Sequence, residues 1–273
     1  MYGVKSLPNY NKQLLDMNNQ QDFFRIGSTK ISVTNPKETI NKITDAVVTG
    51  KSGYICVSNM RMIRFAGKDY QYKKLMDGSF MNLPDGTPLT WLGKMWGLKN
   101  IECTNGPALF MSMLSEANPK CKHYLLGDTE DVIADILRLN NEQYHANIVG
   151  AEALPFCAVE EFDYNGIAKR LEGSGANIVW TAMRAPKQDQ FDQILCTHTN
   201  KVVAIGVGRA FRLLTGSVQG APKWAQKMGI AGVFTRKVSL GSALWWYLET
   251  FFFLGAYVVQ IMFRRLTGKK YYE

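Results

Sequence analysis

The chain has 273 residues, 46% of them hydrophobic, and a formal net charge of +9. That length fits one large domain, or one domain with an attachment, and supplies ample material for a core. The cysteines (Cys56, Cys103, Cys121, Cys157, Cys196) are scattered singly and His123, His145 and His198 lie far apart, which argues against a disulfide framework or a structural zinc site and for reduced thiols in a cytoplasmic compartment.

Residues 1–22 are rich in Asn, Gln and Lys, read as a poorly ordered segment, and lack the apolar stretch of a signal peptide. From residue 23 the chain alternates. "TKISVT" (Thr29–Thr34) reads as a strand, and "NPKETINKITDAVVTG" as a helix capped by Asn35 and stopped at Gly50. "GYICVS", "SFMNL" (Ser79–Leu83) and "HYLLG" (His123–Gly127) are further strands. "DTEDVIADILRLNN" opens on acidic residues, as a helix N-terminus prefers. "ANIVG", "ANIVWTA" and "KVVAIGV" continue the series. Short apolar strands alternating with helices predict a Rossmann-like α/β domain, residues 23–237, with a largely parallel sheet. Ligands in such folds bind at the carboxyl ends of the strands, where Asn59, Asp85, Gly127 and the segment near Arg184 would all fall.

The composition changes near Val238, where "VSLGSALWWYLETFFFLGAYVVQIMF" runs 26 residues with Glu249 as its only charge, followed by "RRLTGKKYY". A span needs about 20 residues, yet on a helical wheel Ser242, Ala256, Gln260 and Thr267 all fall within roughly 20° of Glu249. Three readings of residues 238–273 stand: a buried core helix, a single spanning helix, and a membrane helix that is interfacial or packed in a dimer. Trp245, Trp246, Phe251 and Phe252 suit an interface, and Arg264 and Arg265 suit anionic headgroups. The expectation is a C-terminal membrane-associating helical appendage, with a homo-oligomer through this helix left open.

The positive charge itself points to anionic partners: phosphate groups, nucleic acid or an acidic membrane surface, with a merely solvated basic surface as the alternative. No P-loop and no Gly-x-Ser-x-Gly elbow occurs, and "GVGRAF" (Gly206–Phe211) gives only Gly-x-Gly after a strand. Such a loop still lets backbone N–H groups approach a diphosphate. In "MNLPDGTPLTW", Asp85 sits in a Pro-Asp-Gly turn, which by itself is ordinary turn chemistry.

Taken together, "NLPDGTPLTW", "RAPKQDQF", "AIGVGRAFRLLTG" and "GAPKWAQKMGI" resemble, in order and spacing, glycosyltransferase family 26, the WecG/TagA/CpsF family, over roughly Phe24 to Arg236. The resemblance implies transfer of a sugar, commonly an N-acetylmannosamine-like one, from a UDP-sugar donor to a polyprenyl-diphosphate-linked sugar. The setting it implies is the cytoplasmic face of the bacterial inner membrane, in surface glycan biosynthesis. By the same resemblance Asp85 matches the general base, Asn59 lines its pocket, Lys187 and Gln188 belong to a substrate-contacting motif, and Arg236 lies near a diphosphate-holding arginine. Gly206 and Gly208 supply the loop that approaches the diphosphate.

An inverting transfer needs a positioned carboxylate to take the acceptor proton, and Arg, Lys or backbone N–H groups to stabilise the leaving diphosphate without a metal. No Asp-x-Asp motif is present, consistent with metal independence and no cofactor. The pattern is not complete: Val57, Cys103, Ala108 and Arg212 stand where the family often has Thr, Arg, Asp and Asp, and "GIAG" replaces Gly-Leu-Glu-Trp. Altered donor or acceptor choice and lost activity are the competing explanations. A non-catalytic sugar-nucleotide or lipid-diphosphate binding subunit is the alternative function. Nucleic-acid binding rests on charge alone, without a recognition motif, and no nucleic-acid partner is expected.

Overall fold

A computed structural model of the chain describes residues 22–27, 29–222, 224, 225, 228, 234 and 240–266, with the backbone alone for 240–247, 260, 264 and 265. The N-terminal segment 1–21, Arg236 and the basic residues beyond 266 lie outside the described residues.

Strands β1 (Phe23–Ile26) and β2 (Thr29–Ser32) form an antiparallel hairpin. Strands β3 (Gly53–Ser58), β4 (Met81–Pro84), β5 (His123–Gly127), β6 (Ile148–Glu152), β7 (Ile178–Ala182) and β8 (Val203–Gly206) form one sheet in the order β4-β3-β8-β7-β5-β6. Every pairing in it is parallel. This is the Rossmann-like α/β arrangement that the alternation predicts. The strand "SFMNL" begins two residues later than its composition suggests, because Ser79 closes the preceding helix with a bond from its N–H to the Met76 carbonyl.

Both faces of the sheet are covered, so its strands read as nearly unbroken apolar runs. On one face Ile55, Val57, Leu125, Trp180 and Ile205 pack against α1 (Pro36–Val48), α5 (Gly106–Ser115), α6 (Glu130–Leu139) and α9 (Ala210–Leu214). On the other, the alternate residues Tyr54, Cys56, Tyr124, Val179 and Ala204 meet α2 (Met60–Ala66), α3 (Tyr70–Gly78), α7 (Tyr164–Ser174) and α8 (Lys187–His198). The hairpin and α4 (Thr87–Met95) extend this second layer. Asparagine oxygens cap three helices: Asn35 accepts from Glu38 N–H, Asn59 from Arg61 and Met62 N–H, and Asn105 from Ala108 N–H.

The tail forms one helix, α10 (Leu240–Leu266). Among the described residues no helix is long and apolar enough to cross a membrane. One face of α10 docks on the domain: Ile261 is 1% exposed, and Phe253, Leu254, Tyr257 and Val258 pack against the second core layer. Glu249 forms an ion pair with Arg64 of α2, with Lys68 4.0 Å away. This pairing answers how α10 carries its one carboxylate. The opposite face is apolar and open, with Phe251 and Phe252 more than 70% exposed and Val259, Met262, Phe263 and Leu266 beside them.

In the first core layer the Trp180 indole N–H donates to His123 Nδ1 at 2.9 Å, and burial lowers the His123 pKa to about 4, so the ring is neutral. Trp180→Phe should leave that nitrogen without its donor and lower unfolding free energy by about 1–3 kcal/mol. Urea unfolding measures this, and an unchanged midpoint would show that the bond contributes nothing net.

Candidate active site

The parallel register brings five loops to one edge. Pro84 pairs with Ser58, so Asp85 and Asn59 leave the sheet side by side, and the Asp85 N–H donates to the Ser58 carbonyl at 2.9 Å. Gly86 follows with φ +110°, a conformation that suits glycine, and its N–H donates to Cys103 Sγ at 3.1 Å. The Thr104 N–H donates to the Pro84 carbonyl, so the segment before α5 is tied to the turn. The Pro-Asp-Gly sequence therefore makes a turn and also aims a carboxylate.

Asn59 has two jobs. Its side-chain oxygen caps α2, and its amide group hydrogen-bonds the Asp85 carboxylate. Burial raises the Asp85 pKa from 3.8 to about 6, against the opposing pull of the Asn59 bond and of the nearby Arg209 charge. The Cys103 thiol is pushed up to about 11, first by burial and then by the Asp85 charge, so it stays protonated at neutral pH and is no nucleophile there.

Next in the sheet, β8 ends in the Gly206–Gly208 loop. Gln188, 4% exposed at the start of α8, accepts the Gly208 N–H at 3.0 Å, and a Cβ on Gly206 would come within 2.7–2.9 Å of the Gln188 side chain. Gly208 adopts φ +59°. Gln188 and the two glycines thus form one interlocked unit, with the glutamine bracing the loop rather than projecting into open space. Lys187 points elsewhere: its ammonium donates to the Cys157 carbonyl and lies over the Phe156 and Phe162 rings.

Behind Gln188, α8 turns two more polar groups inward. The Asp189 carboxylate accepts the Tyr72 hydroxyl and is lifted by burial to about 7, while Asp192 accepts Thr181 Oγ1 at 3.0 Å and burial pushes its pKa well up. These contacts join α8 to α3 and β7 beneath the site.

Several further charged residues at this edge are given no role by the sequence. Arg184 is exposed beyond β7 and Arg209 half-buried beyond β8. Burial lowers the Arg209 pKa, with the Arg184 charge acting in the same direction and Asp85 opposing both. Arg61 Nη2 donates to the Ala185 carbonyl at 3.2 Å. Arg212 Nε makes a forked bond to both Asp128 oxygens, at 2.9 and 3.0 Å. The sequence signal for Arg209 was its place directly after Gly208. The Arg212–Asp128 pair spans 84 residues and had none.

The structure brings Asp85, Asn59, Gln188, Gly206 and Gly208 together, and Lys187 lies at the same edge turned away. Phe251 and Phe252 lie on the outward face of α10; Trp245, Trp246, Arg264 and Arg265 belong to that helix, but their side chains are outside the described set. Among the described residues no group of three or more His, Cys, Asp or Glu is arranged to hold a metal ion.

A model of the glycosyl transferase WecG/TagA/CpsF family matches residues 24–265. The chain is 26% identical over 171 residues to the N-acetylglucosaminyldiphosphoundecaprenol N-acetyl-beta-D-mannosaminyltransferase of Bacillus subtilis (strain 168), covering 62% of this chain and 65% of that protein. With the protein of the same name from Bacillus spizizenii it shares 25% over 175 residues, covering 64% and 66%. The chain thus spans just under two thirds of the length of each.

The raised Asp85 pKa has a thermodynamic sign. The folded state favours the protonated carboxyl, so above about pH 6 its ionisation costs stability that the unfolded chain does not lose. Asp85→Asn should therefore be more stable than wild type by up to about 2–3 kcal/mol at pH 8, with the gap closing toward pH 4. Urea midpoints across that range measure it; a gap independent of pH would contradict the assignment.

Proposed function

This chain belongs to the WecG/TagA/CpsF family of glycosyl transferases, and from that premise we propose that it transfers a sugar from a UDP-sugar to a polyprenyl-diphosphate-linked sugar in bacterial surface glycan synthesis. The observation that carries the reading is Asp85: a carboxylate set beyond a strand end, held by Asn59 and poised at a pKa of about 6. A general base works best when its pKa lies near the operating pH, because it is then both ionised and basic enough to accept a proton.

In the proposed step the acceptor hydroxyl gives its proton to Asp85 as its oxygen attacks the anomeric carbon of the donor. The new C–O bond forms on the face opposite the departing nucleoside diphosphate, whose bond to the same carbon breaks, so configuration inverts. Asn59 keeps the carboxylate oriented, and Gln188, by accepting the Gly208 N–H, fixes the course of the loop beside the phosphates. Fixed donors aimed at developing charge act without reorganisation. A metal-independent reaction is part of the proposal, with positive side chains and N–H groups in the metal's place. An N-acetylmannosamine-type donor is the first to test, because the Bacillus relatives are named for that sugar.

The acceptor is lipid-borne, and the open apolar face of α10 is the surface proposed to meet the bilayer, on its cytoplasmic side. The docked face keeps the helix attached while Phe251, Phe252, Met262 and Phe263 enter the headgroup boundary, as an interfacial helix does.

With UDP-N-acetylmannosamine and a short polyprenyl-diphosphate-GlcNAc, Asp85→Asn should lower kcat on the order of 10²- to 10⁴-fold while the protein stays folded. The wild-type rate should rise through about pH 6 as Asp85 ionises. Near-wild-type turnover in the variant would remove Asp85 from the role of base. Replacing Phe251 and Phe252 with Ser should reduce co-sedimentation with anionic vesicles; unchanged co-sedimentation would assign membrane contact to another surface.

A further inference from the structure

The stretch "NLPDGTPLTW" ends on a residue that the proposed reaction leaves without a role. Trp91 is 49% exposed on α4, the helix that begins two residues beyond Asp85. The opposite side of α4 is filled. Leu89 and Leu92 are buried there, and a Cβ on Gly93 would come within 2.7 Å of Ile101 Cδ1. Rolling the helix to hide Trp91 would expose both leucines, so the indole stays half open to water. That leaves a large apolar area unburied.

Helical spacing arranges what accompanies it. Thr87, Trp91 and Lys94 stand at i, i+4 and i+7, along one side of α4. Trp91 is about 6 Å along the axis from Thr87, and Lys94 about 4.5 Å further. Helical side chains lean toward the N-terminus, so the indole leans toward the Asp85 turn and the Lys94 side chain toward the indole. Lys94 is exposed, and no acidic residue stands three or four positions from it, as Asp77 does from Lys73 on α3. Against α4 packs α10, with Phe251 and Phe252 on its open face.

Carboxylate, indole, ammonium and apolar helix therefore follow one another from the strand end outward. A lipid-linked sugar has the same order: a reacting hydroxyl, a hexose ring, a diphosphate and a hydrocarbon chain. The C–H face of a hexose is apolar and lies flat on an indole, whose large rigid surface it covers. An ammonium is a compact point charge that holds phosphate oxygens.

We infer that the outer side of α4 is the track for the acceptor: Trp91 stacks on the sugar that carries the reacting hydroxyl, and Lys94 pairs with the diphosphate that joins this sugar to the lipid. The track follows from the placement of these side chains; that its occupant is the acceptor rests on the glycosyl-transfer reading.

The experiment measures binding of farnesyl-diphosphate-GlcNAc and of farnesyl diphosphate, without donor, to the full chain and to Trp91→Ala, Trp91→Phe and Lys94→Gln. Thermal unfolding is the control for folding. Trp91→Ala should weaken binding of the sugar-bearing probe about 3- to 10-fold and leave farnesyl diphosphate unchanged, with part of the affinity kept in Trp91→Phe. Lys94→Gln should weaken both probes about 10-fold. Equal losses for the two probes in Trp91→Ala would overturn the assignment of the indole to the sugar. Binding that depends on both residues as stated, with no transfer from any UDP-sugar, would keep the track and overturn the transfer reading. Affinity unchanged in folded variants, or no binding by wild type, would overturn the track.

Discussion

At the ends of β3 and β4 the Asn59 side chain meets two demands at once: its oxygen caps α2 and its amide group holds the Asp85 carboxylate. The cap is local, but the second demand can be met only because the two strands are neighbours in register, with Pro84 opposite Ser58. The site depends on this bond in a specific sense. Burial alone would push Asp85 further up, and Asn59 together with Arg209 limits the rise to about 6. A carboxylate balanced in this way exchanges protons near neutral pH, which is what a base needs.

Asn59 directly precedes α2, Asp85 precedes α4 by way of Gly86, and α10 lies against both of those helices. The surface proposed to touch lipid and the group proposed to take the acceptor proton are thus mounted on the same two elements. This is a reason for the tail to dock on the domain instead of hanging from it. It also accounts for the carboxylate in this helix: Glu249 faces Arg64 on the domain side, and that pairing lowers its pKa.

Much of the sheet was readable, because strands buried on both faces must be apolar along their whole length, as "GYICVS" and "HYLLG" are. The turn at Asp85 and the cap at Asn59 were readable too, since both use local chemistry. What local pattern does not carry is strand order. β8 lies between β3 and β7, and only that insertion places Gln188 against Gly208 and sets Arg209 beside both Arg184 and Asp85. The motif identified Gln188 as important, whereas its buried position as a brace became visible only in three dimensions. The Arg212–Asp128 pair is a contact across 84 residues that no periodicity announces. For α10, the helical wheel showed a polar stripe but not that the apolar surface divides into a docked half and an open half.

The central claim is that Asp85 serves an acceptor-dependent sugar transfer. It is tested most directly by measuring nucleoside diphosphate release from a panel of UDP-sugars, with and without a short polyprenyl-diphosphate-GlcNAc, in wild type and Asp85→Asn. The account predicts release from at least one donor only when the acceptor is present, abolished by the substitution. Release from no donor, or release indifferent to the acceptor and to Asp85, would contradict it.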